Sequence, residues 1–161
     1  MHEFAFEDFT AGRVFDLGAV TVDGDEMVAF ATRFDPQPFH LDSAAAAANP
    51  LLGGRVCASG WFTASLWMRA WADTVLNRSS ALGSPGGNNL SWPNPVFPGD
   101  VLSATSGVLG ARRSRSKSDL GLVDILATLH RGDEPVFRAQ FTALFGVRSA
   151  AQPAETGTSA T

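Results

Sequence analysis

Residues 58–76, ASGWFTASLWMRAWADTVL, carry no turn residue after Gly60 and are apolar on nearly every side of a helix, interrupted mainly by Arg69 and Asp73. A helix that is apolar all round has to be buried, so the rest of the chain must supply a concave apolar surface to receive it. Beyond a Gly/Ser/Pro-rich loop read over residues 79–87, helical spacing gives way to alternation. In residues 136–145, Phe137, Ala139, Phe141, Ala143 and Phe145 fall on one face and Arg138, Gln140 and Thr142 on the other, the pattern of a half-buried strand. Residues 101–109 and 120–129 also read as strands, with turn signals at Pro98-Gly99-Asp100 and Arg131-Gly132-Asp133. Before the long helix, residues 14–22 predict an early strand. A short amphipathic helix follows, with Asp23 as its cap, Glu26 in its first turn and Met27, Phe30, Ala31 and Phe34 at helical spacing, stopped by Pro36. The economical arrangement is an α+β fold in which a curved antiparallel sheet wraps one long central helix.

At 161 residues the chain suits one domain with a substantial core. We place that domain at residues 1–148, because residues 149–161 have no large apolar side chain and read as a disordered tail. A net charge of −4 argues against nucleic acid and against an anionic membrane surface. The N-terminal residues lack the basic and then apolar order of a signal peptide, and no stretch is long and apolar enough to span a bilayer, so a cytoplasmic protein is expected. The single cysteine, Cys57, suits a reducing compartment and makes neither an internal disulfide nor a cysteine-rich zinc site. No metal and no redox cofactor is expected: His2 and His130 have no metal-like neighbours, and there is no Gly-rich phosphate loop.

Chemistry points to Phe34-Asp35-Pro36-Gln37-Pro38-Phe39-His40, where an acid and an imidazole stand five residues apart on a chain stiffened by two prolines. With Phe34 and Phe39 as apolar flanks, such a pair can move protons through a shared water. Spacing alone leaves the blander alternative open and commoner, with Asp35 as a helix-end residue and His40 as a structural imidazole.

The run Asp35-Pro36-Gln37-Pro38-Phe39-His40 resembles the signature of MaoC-like dehydratases and (R)-specific enoyl-CoA hydratases, usually D-x-N-P-x-H, whose Asp and His are catalytic. Phe6-Glu7-Asp8-Phe9 with Gly12, Ala58-Ser59-Gly60, and Asn94-Pro95-Val96 with Pro98-Gly99-Asp100 resemble other segments of that family, so the likeness spans roughly residues 4 to 147. Gln37 departs from the usual Asn; it keeps the amide and adds a methylene.

The resemblance implies a hotdog fold and syn addition of water across the 2,3 double bond of a trans-2-enoyl thioester, or the reverse, with coenzyme A or acyl carrier protein as the carrier. It implies a homodimer or larger assembly built across a sheet seam. Asp35 would activate the water and His40 would donate the proton to C2, with a shared division of labour left open. Gly60, at the start of the long helix, would offer its backbone N–H to the thioester oxygen. The alternative there is that Ser59 caps the helix while Gly60 only permits close packing.

Gln37, Phe39 and Ser59 are expected to contact substrate. The basic run holding Arg112, Arg113, Arg115 and Lys117 is expected either to meet the phosphates of coenzyme A or to be a solvated hairpin tip. Trp61, Phe62, Trp67 and Trp71 are expected in the core or at a dimer contact, and Cys57 has no obvious base that would make it a nucleophile. Two rivals remain, a hotdog thioesterase and a catalytically idle acyl-CoA-binding subunit.

Overall fold

The computed structural model describes residues 2–148. The expectation of a disordered tail at residues 149–161 falls outside them. Strand β1 (Val14–Thr21) leads into helix α1 (Gly24–Phe34), where the Asp23 carboxylate accepts from the N–H groups of Asp25 and Glu26, at 2.9 Å each. A 3₁₀ turn (Pro38–His40) and a short helix α2 (Ser43–Ala48) precede the long helix α3 (Gly60–Thr74). Strands β2 (Ala81–Ser91), β3 (Val101–Arg113), β4 (Leu120–Arg131) and β5 (Glu134–Gly146) follow. All five strands form one antiparallel sheet in the order β1-β3-β4-β5-β2.

Helix α3 is the axis of the core. Trp71 meets Phe15 of β1 edge-on at 5.8 Å. Trp67 donates its indole N–H to the Thr105 carbonyl of β3 at 2.8 Å and packs on Phe137 and Phe141 of β5. One helix therefore touches strands from one side of the sheet to the other, which requires the sheet to curve around it. Phe62, Trp67 and Trp71 are buried, whereas Trp61 is 57% exposed on the outer face of α3. On β5, Phe137, Ala143 and Phe145 are buried and Ala139 and Phe141 pack against the core, as the alternation predicts.

Two expectations need correction. The helix foreseen to residue 76 stops at Thr74, and a 3₁₀ turn (Leu76–Arg78) takes over. The loop foreseen over residues 79–87 is largely strand β2, an edge strand paired with β5. It is exposed along almost all its length, so no apolar alternation marks it, and its register shifts around Gly83 and Gly86, both at positive φ. Pro85 is tolerated because an edge strand has one unpaired side.

Candidate active site

The site begins where α1 is forced to stop. Asp35 closes the helix, its N–H still bonded to the Ala31 carbonyl at 2.9 Å, and Pro36 then turns the backbone away. Pro38 opens the next turn at its first position, where its missing N–H costs nothing, and the turn delivers His40 into the interior at 5% exposure. This segment lies against residues 57–60, the entry to α3.

His40 Nδ1 lies 2.8 Å from the carbonyl oxygen of Cys57. A carbonyl can only accept, so Nδ1 carries a proton and Nε2 is left for chemistry. That nitrogen faces Asp35 Oδ2 at 3.4 Å, longer than a good hydrogen bond but close enough for one water, about 2.8 Å from each, to touch both.

The Asp35 carboxylate has two donors of its own. Ser59 Oγ–H donates to Oδ2 at 2.6 Å and Gln37 Nε2–H to Oδ1 at 2.8 Å. These bonds, first Ser59 and then Gln37, outweigh the cost of burial and hold Asp35 below the ordinary carboxylate range, with the His40 charge adding to the effect. Asp35 is therefore anionic at neutral pH and stands ready as a proton acceptor.

Ser59 does double service. Its hydroxyl oxygen also accepts from the Trp61 N–H at 3.2 Å and so caps α3. It is fully buried, and its two bonds assign it to holding Asp35 and capping α3. Gln37 likewise spends its amide on Asp35, so the extra methylene over Asn still leaves the carboxylate reachable. Phe39 is half-buried with its ring 4.5 Å from the imidazole, while Phe34, expected to dry the pocket, is 62% exposed. Cys57 contributes its carbonyl; its thiol is pushed up by burial, which keeps it a protonated thiol and not a nucleophile.

Gly60 is the first residue of α3, and its N–H has no partner among the described residues. The space where its side chain would be is occupied: a Cβ there would meet Trp92 Cε2 at 2.7 Å. Close packing and a free N–H therefore stand side by side at this glycine. A cavity of about 450 Å³ opens at this point, lined by Leu52, Ala58, Gly60, Thr63, Trp92 and Val96 among others.

The basic run is not part of this constellation within one chain. Arg112 and Arg113 end β3 opposite Leu122 and Gly121. The site end of the sheet is the other one, where Val96 accepts from the Ala58 N–H and Pro98 packs on Gly24. About eleven residues of strand separate the two ends, roughly 35 Å. Arg113 is engaged locally by Glu7 at 3.2 Å and by the Phe6 ring, and Arg112, Arg113, Arg115 and Lys117 are all exposed. No group of three His, Cys, Asp or Glu residues among the described residues is arranged to hold a metal ion.

Three residues matter here that the sequence did not flag in these roles: Cys57 through a backbone carbonyl, Ser59 through a bond to Asp35 across 24 positions, and Trp92 over Gly60. None leaves a local signature, because each contact joins separate segments.

A long helix in a five-stranded antiparallel sheet, with an acid and an imidazole at the helix entry, defines a hotdog-fold protein with an acid/base site. The MaoC like domain family matches residues 8–129, and the chain belongs to that family. A MaoC-like dehydratase from Rhodospirillum rubrum is 35% identical and superposes with a TM-score of 0.82, over 91% of this chain and 99% of that one. The uncharacterised protein YdeM of Bacillus subtilis is 27% identical over 139 residues, 86% of this chain and 96% of YdeM. The (R)-hydratase from A. caviae involved in PHA biosynthesis shares the fold at a TM-score of 0.62 and 24% identity, covering 86% of this chain and 96% of its own.

Proposed function

We propose that the protein is a hydratase/dehydratase that adds water across the 2,3 double bond of a trans-2-enoyl thioester, giving an (R)-3-hydroxyacyl thioester, or runs the reverse. One observation carries this reading: an Asp35 carboxylate kept anionic by Ser59 and Gln37 stands 3.4 Å from the free nitrogen of an imidazole whose other nitrogen is fixed on Cys57. In the hydration direction Asp35 takes a proton from water as its oxygen bonds to C3. The alkene electrons move toward the thioester oxygen, which the Gly60 N–H stabilises at the positive end of α3. His40, carrying a proton on each ring nitrogen for this step, gives the Nε2 proton to C2, and proton return from Asp35 to His40 resets the pair. Acid and base steps of this kind contribute roughly 10²–10⁴-fold each.

Membership of the MaoC-like family, which the R. rubrum dehydratase shares, supports the reaction type. Family membership and chemistry together suggest an acyl-CoA or acyl carrier protein substrate in the cytoplasm. A homodimer fits the exposed apolar groups Trp61, Met68, Leu82, Leu90 and Trp92, which lie on α3, on the edge strand β2 and just beyond it. The test is the wild-type protein with crotonyl-CoA, followed for loss of conjugated-enoyl absorbance and for free thiol. Absorbance loss without thiol is the expected result. Thiol release would make it a thioesterase, and silence on short and long enoyl-CoAs alike would leave an unusual substrate or a binding role.

A further inference from the structure

We propose that Trp92 sets the acyl-chain preference, its indole forming one wall of the cavity beside Gly60. This deepens the hydratase reading and rests on it for the nature of the ligand. The cavity shares Ala58 and Gly60 with the same short segment whose Cys57 holds His40 and whose Ser59 holds Asp35. A thioester carbonyl seated on the Gly60 N–H therefore has its acyl chain entering this cavity. At about 450 Å³ the volume suits a small-molecule group.

Trp92 is well placed to be a wall and not a passing contact. Its indole sits so close to Gly60 Cα that any side chain there would collide with the ring itself at 2.7 and 2.9 Å, leaving a methyl group no soft neighbour to displace. The ring meets Trp61 edge-on at 5.3 Å and is tilted against Phe137 at 6.5 Å. The segment that carries it is pinned from β4 and from the start of β5: Asn94 donates to the Pro135 carbonyl at 2.8 Å, and Arg131 donates to the Pro95 carbonyl at 3.2 Å and to Asp100 at 2.6 Å. A large aromatic side chain on a backbone so tied cannot swing away cheaply to admit a longer chain. The structure thus assigns the wild-type protein a preference for short acyl groups.

Trp92→Ala should remove the wall and Trp92→Phe should lower it. The experiment measures kcat/KM for crotonyl-CoA and trans-2-dodecenoyl-CoA. It also measures calorimetric binding of butanoyl-CoA and dodecanoyl-CoA, which need no turnover. The expected result is a shift of the long-to-short ratio by at least about tenfold in Trp92→Ala and by less in Trp92→Phe. Gly60→Ala should alter that ratio in the wild-type background and have less effect on it in the Trp92→Ala background, because the three atoms nearest the added methyl all belong to Trp92. Should Trp92→Ala not fold, the Trp92→Phe and Gly60→Ala arms carry the test.

A ratio unchanged in folded variants overturns the proposal while hydration of crotonyl-CoA keeps the reaction assignment. Binding with the expected shift but no hydration overturns the reaction and keeps the wall. Absence of both binding and turnover with any acyl-CoA overturns both.

Discussion

The two ends of α3 use charge in opposite ways. At its C-terminal end the chain is stitched by exposed ion pairs, Glu3 with Arg78, Glu7 with Arg113 and Asp8 with Arg148, beside the short bridge of Phe4 to Ser79. Charges there are several and solvated, and such pairs contribute about 0–1 kcal/mol each. At the N-terminal end the Asp35 carboxylate, the buried His40 imidazole and the capping Ser59 are directed at one another, with the Arg131 pairs to Asp100 and Glu134 tying the neighbouring turn. Few charges held out of water and aimed at one point can do chemistry; many charges in water mainly keep an end closed and soluble.

The largest break in this contrast should come from Asp35→Asn and His40→Gln. Each should lower kcat/KM for crotonyl-CoA by roughly 10²–10⁴-fold while leaving the thermal midpoint within a few degrees, as read by circular dichroism. Next comes Ser59→Ala, which removes the leading donor to Asp35. A depressed carboxylate pKa keeps the base ionised down to low pH, so the wild-type acid limb lies below the usual carboxylate range of about 3.9. Loss of Ser59 should move that limb upward in a kcat/KM–pH profile.

The same variant should lose about 1 kcal/mol in urea unfolding through the missing cap. For stability the sign is that of a lowered pKa: the Asp35 contribution is present above the unfolded-state value and is lost as pH falls through the folded one. The smallest effect belongs to the far end. Replacing Arg113 and Arg115 by Ala should leave KM for crotonyl-CoA within about twofold and cost no more than about 1 kcal/mol. A severalfold rise in KM would return the basic hairpin to substrate binding.

These regions also differ in how much of them could be read from the chain. Helix α3 and strand β5 declared themselves through their apolar residues, by alternation for β5 and by an unbroken apolar run for α3, although α3 buries only the face of Phe62, Thr63, Trp67 and Trp71 and leaves Trp61 and Met68 exposed. Strand β2 was invisible, because an exposed edge strand held by backbone bonds makes no demand on side-chain pattern. In the site, Asp35 and His40 are neighbours in sequence and were legible as a pair. Their supports were not. Ser59 reads as a helix cap, which it is, and nothing local says that its proton points at a carboxylate 24 residues away. Gly60 invited a ligand, and the atom nearest its missing side chain proved to belong to Trp92. The arginine-rich turn reads equally as a phosphate site or a solvated hairpin tip, and nothing local says that β3 and β4 carry it to the end of the sheet away from the entry of α3.

The central claim is geometric: Asp35 and His40, 3.4 Å apart, work on one face of the alkene. Hydration of crotonyl-CoA in D₂O, with the product's relative configuration read by proton NMR, tests it directly. Groups this close must deliver oxygen to C3 and deuterium to C2 from the same side, so a single syn diastereomer is predicted. An anti product, or a mixture of the two, would contradict the account.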